Sequence, residues 1–182
     1  MKVLSVNVGL PRIVEYRGEP VATGIYKEPV GGRVLVNEFN LEGDAQADLR
    51  VHGGYFKAVY VYPSEHYEFW RGELPEMDLP FGMFGENLTT EGLLEKNVNV
   101  GDRFRVGTAE FVVTQPREPC FKLCIRFGRG DIIKRFAKSG RTGFYVAIEK
   151  TGELGAGDVI EFLSREMNQP SIADIVRERF HL

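Results

Sequence analysis

The sequence predicts a mainly β fold, curled or barrel-like, with a few short helices and one amphipathic helix at the C-terminus. Short runs rich in β-branched and aromatic residues recur along the chain, and turns containing glycine or proline separate them. Helical spacing of apolar residues is confined to short segments, which argues against alternating βαβ units. The 182 residues, 43% hydrophobic and 27% charged, suit one compact unit able to bury a core without disulfides or structural metal.

Val3, Leu4, Val6 and Val8 open a strand that ends at Gly9-Leu10-Pro11, where proline removes a ladder donor. Strands follow over Glu19–Lys27 and Arg33–Leu41, with Glu28-Pro29-Val30-Gly31-Gly32 as the turn between them. The polar stretch from Glu42 to Gly54 exceeds an ordinary connection, so a functional role is expected of it. Lys57–Tyr62 is a strand, and a helix runs from Pro63-Ser64-Glu65 to about Gly72 with Ser64 as its N-cap. Val100–Val106 and Ala109–Thr114 alternate as a hairpin around Gly107-Thr108. Phe121–Phe127 and Asp131–Lys138 have helical spacing, broken by Gly128 and Gly130 and ended by Gly140. Thr142–Glu149 and Asp158–Leu163 make a last hairpin around Thr151-Gly152-Glu153. Ser171 and Asp174 form a capping box ahead of Ile172, Ile175, Val176 and Phe180. The expected division is a β-domain over 1–164 and a short helical tail over 165–182.

A net charge of −3 without a basic stripe makes polymeric nucleic acid a poor partner. No apolar run approaches the ~20 residues of a membrane span, and the N-terminus lacks a signal-peptide core, so a cytoplasmic protein is expected. The two cysteines, Cys120 and Cys124, are then expected as thiols. The sequence carries no dinucleotide or phosphate-loop glycine fingerprint.

Cys120 follows Pro119 and is bracketed by Arg117 and Lys122, with Arg126 beyond. Cations and a helix N-terminus favour thiolate, which is both a nucleophile and a soft metal ligand. The bland alternative, an inert buried thiol, fits Cys124 between Leu123 and Ile125 better. His52 before Gly53 and Gly54 offers an imidazole beside backbone amides that a ligand could approach, although glycine pairs also mark plain turns. Glu86 and Asn87 pair an acid with an amide able to read a pterin- or purine-like edge. Arg117, Lys122 and Arg126 belong to the densest basic region and suit a small cofactor's phosphate, whereas Lys134, Arg135 and Lys138 read as a solvated helix face. His66 reads as a partly buried helix residue and His181 as solvated.

Val51-His52-Gly53-Gly54, Tyr62-Pro63-Ser64-Glu65-His66-Tyr67, Phe84-Gly85-Glu86-Asn87-Leu88-Thr89 and Gln115-Pro116-Arg117-Glu118-Pro119-Cys120-Phe121-Lys122-Leu123 occur in this order. Together they resemble the MOSC domain, over roughly residues 1 to 164, and its stand-alone YiiM-like branch. The resemblance implies a β-barrel-like fold that binds molybdenum cofactor (molybdopterin), with Cys120 as the thiolate ligand to the metal and the catalytic residue. It further implies reduction of N-hydroxylated bases such as hydroxylaminopurine to amines, with His52, Glu86 and Asn87 orienting pterin or substrate. Without an iron–sulfur cysteine set or a flavin fingerprint, electrons would come from a separate reductase. Longer YiiM-like members carry a further helical region, here reduced to about Ser171–Leu182. A persulfide sulfur carrier using Cys120 and a cofactor-delivery protein are the competing readings; pyridoxal phosphate binding and a homodimer are left open by the sequence.

Overall fold

The computed structural model describes residues 1–47 and 53–182. The strands are β1 (Lys2–Val8), β2 (Arg12–Tyr16), β3 (Glu19–Thr23), β4 (Glu28–Val30), β5 (Arg33–Val36), β6 (Val59–Pro63), β7 (Leu88–Glu91), β8 (Arg103–Val106), β9 (Ala109–Pro116), β10 (Phe144–Lys150), β11 (Gly152–Gly155) and β12 (Ile160–Ser164). The helices are α1 (Glu65–Glu73), α2 (Lys122–Phe127), α3 (Ile132–Ser139) and α4 (Ile172–Phe180). Eight strands form one sheet in the order β12-β8-β9-β10-β6-β7-β1-β4, while β11-β5 and β2-β3 form small ribbons. Its neighbours are antiparallel except β6 and β7, which run parallel because α1 carries the chain back between them.

The mainly β class is found, but the sheet does not close into a barrel. β4 takes the edge of β1 along Val6, Asn7 and Val8, so only the Lys2 end of β1 approaches β12. There a single bridge, Lys2 to Val159, stands in place of a ladder.

Three further expectations are corrected. The stretch read as a turn over 28–32 contains β4, which pairs with β1, and only Gly31-Gly32 turns. The strand expected over Glu19–Lys27 stops at Thr23 because it pairs with β2 as a ribbon around Arg17-Gly18. The last hairpin does not form, since β10 is taken on both edges by β9 and β6 while β12 pairs with β8.

β6 shows how the sheet separates two cores. Its five residues are all buried, and period 2 sends Val59 and Val61 into an aliphatic core and Tyr60 and Tyr62 into an aromatic one. The aromatic core is capped by α1, α2 and α3 through Trp70, Phe127 and Phe136. Tyr62 stacks on Phe84 at 4.6 Å between ring centroids. Cys124 lies in this core, as expected of it. Among the described residues no helix is long and apolar enough to cross a membrane.

The two serines expected as caps behave differently. Ser64 has helical backbone angles and makes no cap bond; its amide donates instead to Thr90 at 2.7 Å. Ser171 is extended and its hydroxyl accepts from the Asp174 amide at 3.1 Å while donating to Asp174 Oδ2 at 2.7 Å, so α4 has the expected serine N-cap, without the reciprocal bond to the Ser171 amide that a full capping box would add, and seats Ile172 and Val176 in the aliphatic core. Ser171→Ala is therefore expected to cost about 1 kcal/mol in urea unfolding, and Ser64→Ala far less. Equal losses would contradict this assignment.

Candidate functional site

β9 continues to Pro116, held in register with Phe144 of β10, so the chain leaves the sheet at Arg117 and reaches Cys120 before α2 begins. Arg117 is buried, and its Nη1 donates to the Phe84 carbonyl. Its guanidinium lies 4.6 Å from the Tyr60 ring centroid and 5.7 Å from that of Phe136. Burial opposes this charge, but Tyr60, Tyr145 and Cys120 outweigh it, so Arg117 stays fully protonated. Cys120 itself is half-buried and in no disulfide. A charged guanidinium at this place favours the thiolate of its neighbour.

Cys120 lines a half-open pocket with about 570 Å3 of space between its walls, open solvent included. Arg117, Lys122, Lys27 and Lys57 bring four cationic side chains to its lining. Tyr60 and Tyr145 form an aromatic wall, their rings 5.3 Å apart. The long polar loop contributes Ala45, Gln46, Ala47 and Gly53, so the part of it described does face the cavity. His52 lies outside the described residues. Gly54 is not part of the lining; its carbonyl accepts from the Lys57 amide at 3.1 Å.

Lys27 is buried, and its Nζ donates to Asp44 Oδ1. The same Oδ1 accepts from the Gly9 amide at 3.0 Å, and Oδ2 accepts from Asn87 Nδ2 at 2.9 Å. Asn87 completes the brace by accepting from the Tyr60 amide at 3.0 Å and donating to the Asn7 carbonyl at 3.3 Å. It thus lines the cavity with both ends of its amide committed to protein. Burial lowers the Lys27 pKa, with Asp44 acting against that shift.

Glu86 is fully buried and stands outside the cavity lining. Its carboxylate accepts from Tyr67, from the Gly82 amide at 2.8 Å, from the Phe84 amide at 3.1 Å and from the Thr89 hydroxyl at 2.9 Å. Burial raises its pKa while these donors hold it down. Glu86 therefore organises the loop whose Phe84 carbonyl anchors Arg117. Gly82 and Gly85 have positive φ, and a Cβ on Gly82 would stand 2.5 Å from the Lys27 carbonyl oxygen. Glycine lets this loop pack directly on the backbone that carries Lys27.

Of the other basic residues, Arg126 lies off the cavity, 4.8 Å from the Tyr26 ring centroid, with its Nε buried and without a hydrogen-bond partner among the described residues. Burial lowers its pKa. Arg129 and Arg135 are engaged by Asp131, Glu76 and Glu73 at the surface. His66 is buried more deeply than expected, with Nε2 on Glu95 at 2.8 Å. The sequence reading missed Lys27, Asp44, Lys57, Tyr60 and Tyr145. Tyr60 carried a signal, since tyrosines alternating with valines on a strand buried on both faces must place their hydroxyls somewhere polar.

The family model for the MOSC domain matches residues 48–161. Protein YiiM of Escherichia coli is 42% identical over 163 residues, covering 88% of this chain and 72% of that protein. A protein of Gibberella moniliformis named "Reductase" is 37% identical over 163 residues, 88% of this chain but 29% of its own length. The crystal structure of YiiM from Geobacillus stearothermophilus superposes with a TM-score of 0.82 at 33% identity, covering 99% of this chain and 84% of that one.

Proposed function

The chain belongs to the MOSC domain family, and from that premise we propose that it is a molybdenum-cofactor-binding oxidoreductase that reduces N-hydroxylated bases or related N-oxygenated compounds to amines. The cavity carries this reading: one cysteine stands among four cationic side chains and two tyrosines. The donor set fits the cofactor. Among the described residues no cluster of three or more His, Cys, Asp or Glu side chains could hold a metal alone, but a metal that arrives with its own dithiolene sulfurs needs only one protein thiolate, for which Cys120 is the candidate. Arg117, Lys122 and Lys57 would pair with the pterin phosphate, and Tyr60 and Tyr145 would pack against the ring system. Asn87 and Glu86 act in this reading by bracing the wall. When bound, the cofactor supplies the two electrons that N–O cleavage consumes.

The name of the fungal relative supports an oxidoreductase. Electrons would reach this chain from a separate reductase. Purification from a host that makes molybdenum cofactor tests the reading. Close to one molybdenum and one pterin per chain, and reduction of hydroxylaminopurine when a flavin reductase is added, are the expected results. A folded, cofactor-supplied preparation with neither metal nor pterin would defeat it, and tight molybdenum binding without turnover would favour the cofactor-delivery role.

A further inference from the structure

We propose that Lys27 is the proton donor of this cavity, delivering its ammonium proton to the hydroxyl oxygen that leaves the N-hydroxylated substrate. The inference rests on the reductase reading above. In the reaction R–NHOH + 2 e⁻ + 2 H⁺ gives R–NH2 + H2O, the N–O bond breaks and nitrogen is reduced. The electrons come from the external reductase. One proton, from Lys27, completes the departing water, and the other reaches nitrogen from solvent. Lys27 is then reprotonated through the cavity mouth.

The geometry separates Lys27 from the other proton-bearing groups. It lines the same cavity as Cys120 yet is 7% exposed, and among the described residues its one side-chain hydrogen-bond partner is Asp44, which uses one of its three N–H bonds and leaves two for a ligand. Asp44 is itself fixed by Gly9 and Asn87, which holds Nζ in place. Arg117 keeps its proton too firmly to donate. Tyr60 and Tyr145 do so as well, because burial raises both phenols. Lys57 and Lys122 are only half-buried. Lys27 is the buried lysine of the lining whose pKa burial lowers, which makes it a readier proton donor than an ordinary lysine. The charges that act on it are Asp44 and Glu86, which favour its protonated form, and Arg117, which disfavours it.

Lys27→Met and Lys27→Arg are the test, measured on protein loaded with molybdenum and supplied with hydroxylaminopurine and a flavin reductase. Both variants should keep their molybdenum and lose turnover by roughly 10²-fold or more. Arginine retains the charge but does not release its proton, so it should fail like methionine. Small primary amines added to Lys27→Met should restore part of the rate, and the wild-type rate should fall as pH rises through a value below 10.5. A separate reading on cofactor-free wild type is the pH dependence of Lys27 acetylation, which should show a pKa below that of the surface lysines. Loss of molybdenum together with turnover would make Lys27 an anion holder and overturn the proposal. So would turnover within threefold of wild type, or acetylation with an ordinary lysine profile. Wild type that holds molybdenum yet reduces no N-hydroxylated base would defeat the reductase reading and the proton donor with it.

Discussion

Cys120→Ala should retain the fold and lose both turnover and most of the bound molybdenum, whereas Cys124→Ala should keep the metal and lose stability. The two thiols lie four residues apart, but their surroundings differ. Cys120 is half-buried on the cavity beside a permanently charged guanidinium. Removing its sulfur deletes the soft ligand that the proposed site requires and leaves no core void. Cys124 is buried in the aromatic core with its sulfur 3.8 Å from the Gly130 carbonyl oxygen, so truncation opens a cavity there. On the usual scale for deleting a buried side-chain atom, about 1–2 kcal/mol should be lost. Metal analysis of both variants beside urea unfolding checks the division. Equal loss of molybdenum from both, with neither destabilised, would show that the cysteines share one role. A Cys120→Ala protein that keeps full molybdenum would remove the thiolate from the ligand set and leave the persulfide role for it.

Legibility in the sequence followed the range of the interactions involved. β1, β6, the β8-β9 hairpin and the α4 cap are set by local alternation, local turns and a side chain three residues away, and these were readable. Strand partners depend on distant segments. That is why β10 could be expected as a strand while its neighbours β9 and β6 could not, and why closure of the sheet was overestimated. At the site, Cys120, Arg117 and Lys122 announced themselves by lying within six residues of one another, and all three line the cavity. Glu86 and Asn87 were recognisable as special, but their residue types do not say whether the hydrogen-bond partners are a ligand or the protein itself; the partners found are Tyr67, Thr89, Asp44 and backbone groups. Lys27 and Asp44 gave no signal, since a lysine at a strand end and an aspartate in a polar loop read as solvated. Their burial follows from the loops packing closely here, where a Cβ on Gly24 would stand 2.7 Å from the Ala45 carbonyl oxygen.

That burial makes Asp44→Ala the most damaging single change expected outside the aromatic core. The substitution strips Lys27 of its counter-ion in a site with 7% exposure and removes the acceptors of Gly9 and Asn87. Breaking a buried pair from one side costs about 3–5 kcal/mol, because the remaining charge stays desolvated. Lys27→Met in the same background should recover part of that loss by removing the orphaned cation, and a double-mutant cycle in urea would give the coupling. The pH dependence has a definite sign. Burial already lowers the folded-state pKa of Lys27 below 10.5, and Asp44 is the largest influence resisting that. Without Asp44 the folded state loses the lysine proton at lower pH than before, while the unfolded chain still holds it. The unfolded state then binds more protons, so the stability of Asp44→Ala should rise with pH between the lowered folded value and 10.5, over a wider window than in wild type. A cost below about 1 kcal/mol, with no such slope, would mean that water reaches Lys27 freely, and a solvated lysine could not act as the cavity's tuned proton donor.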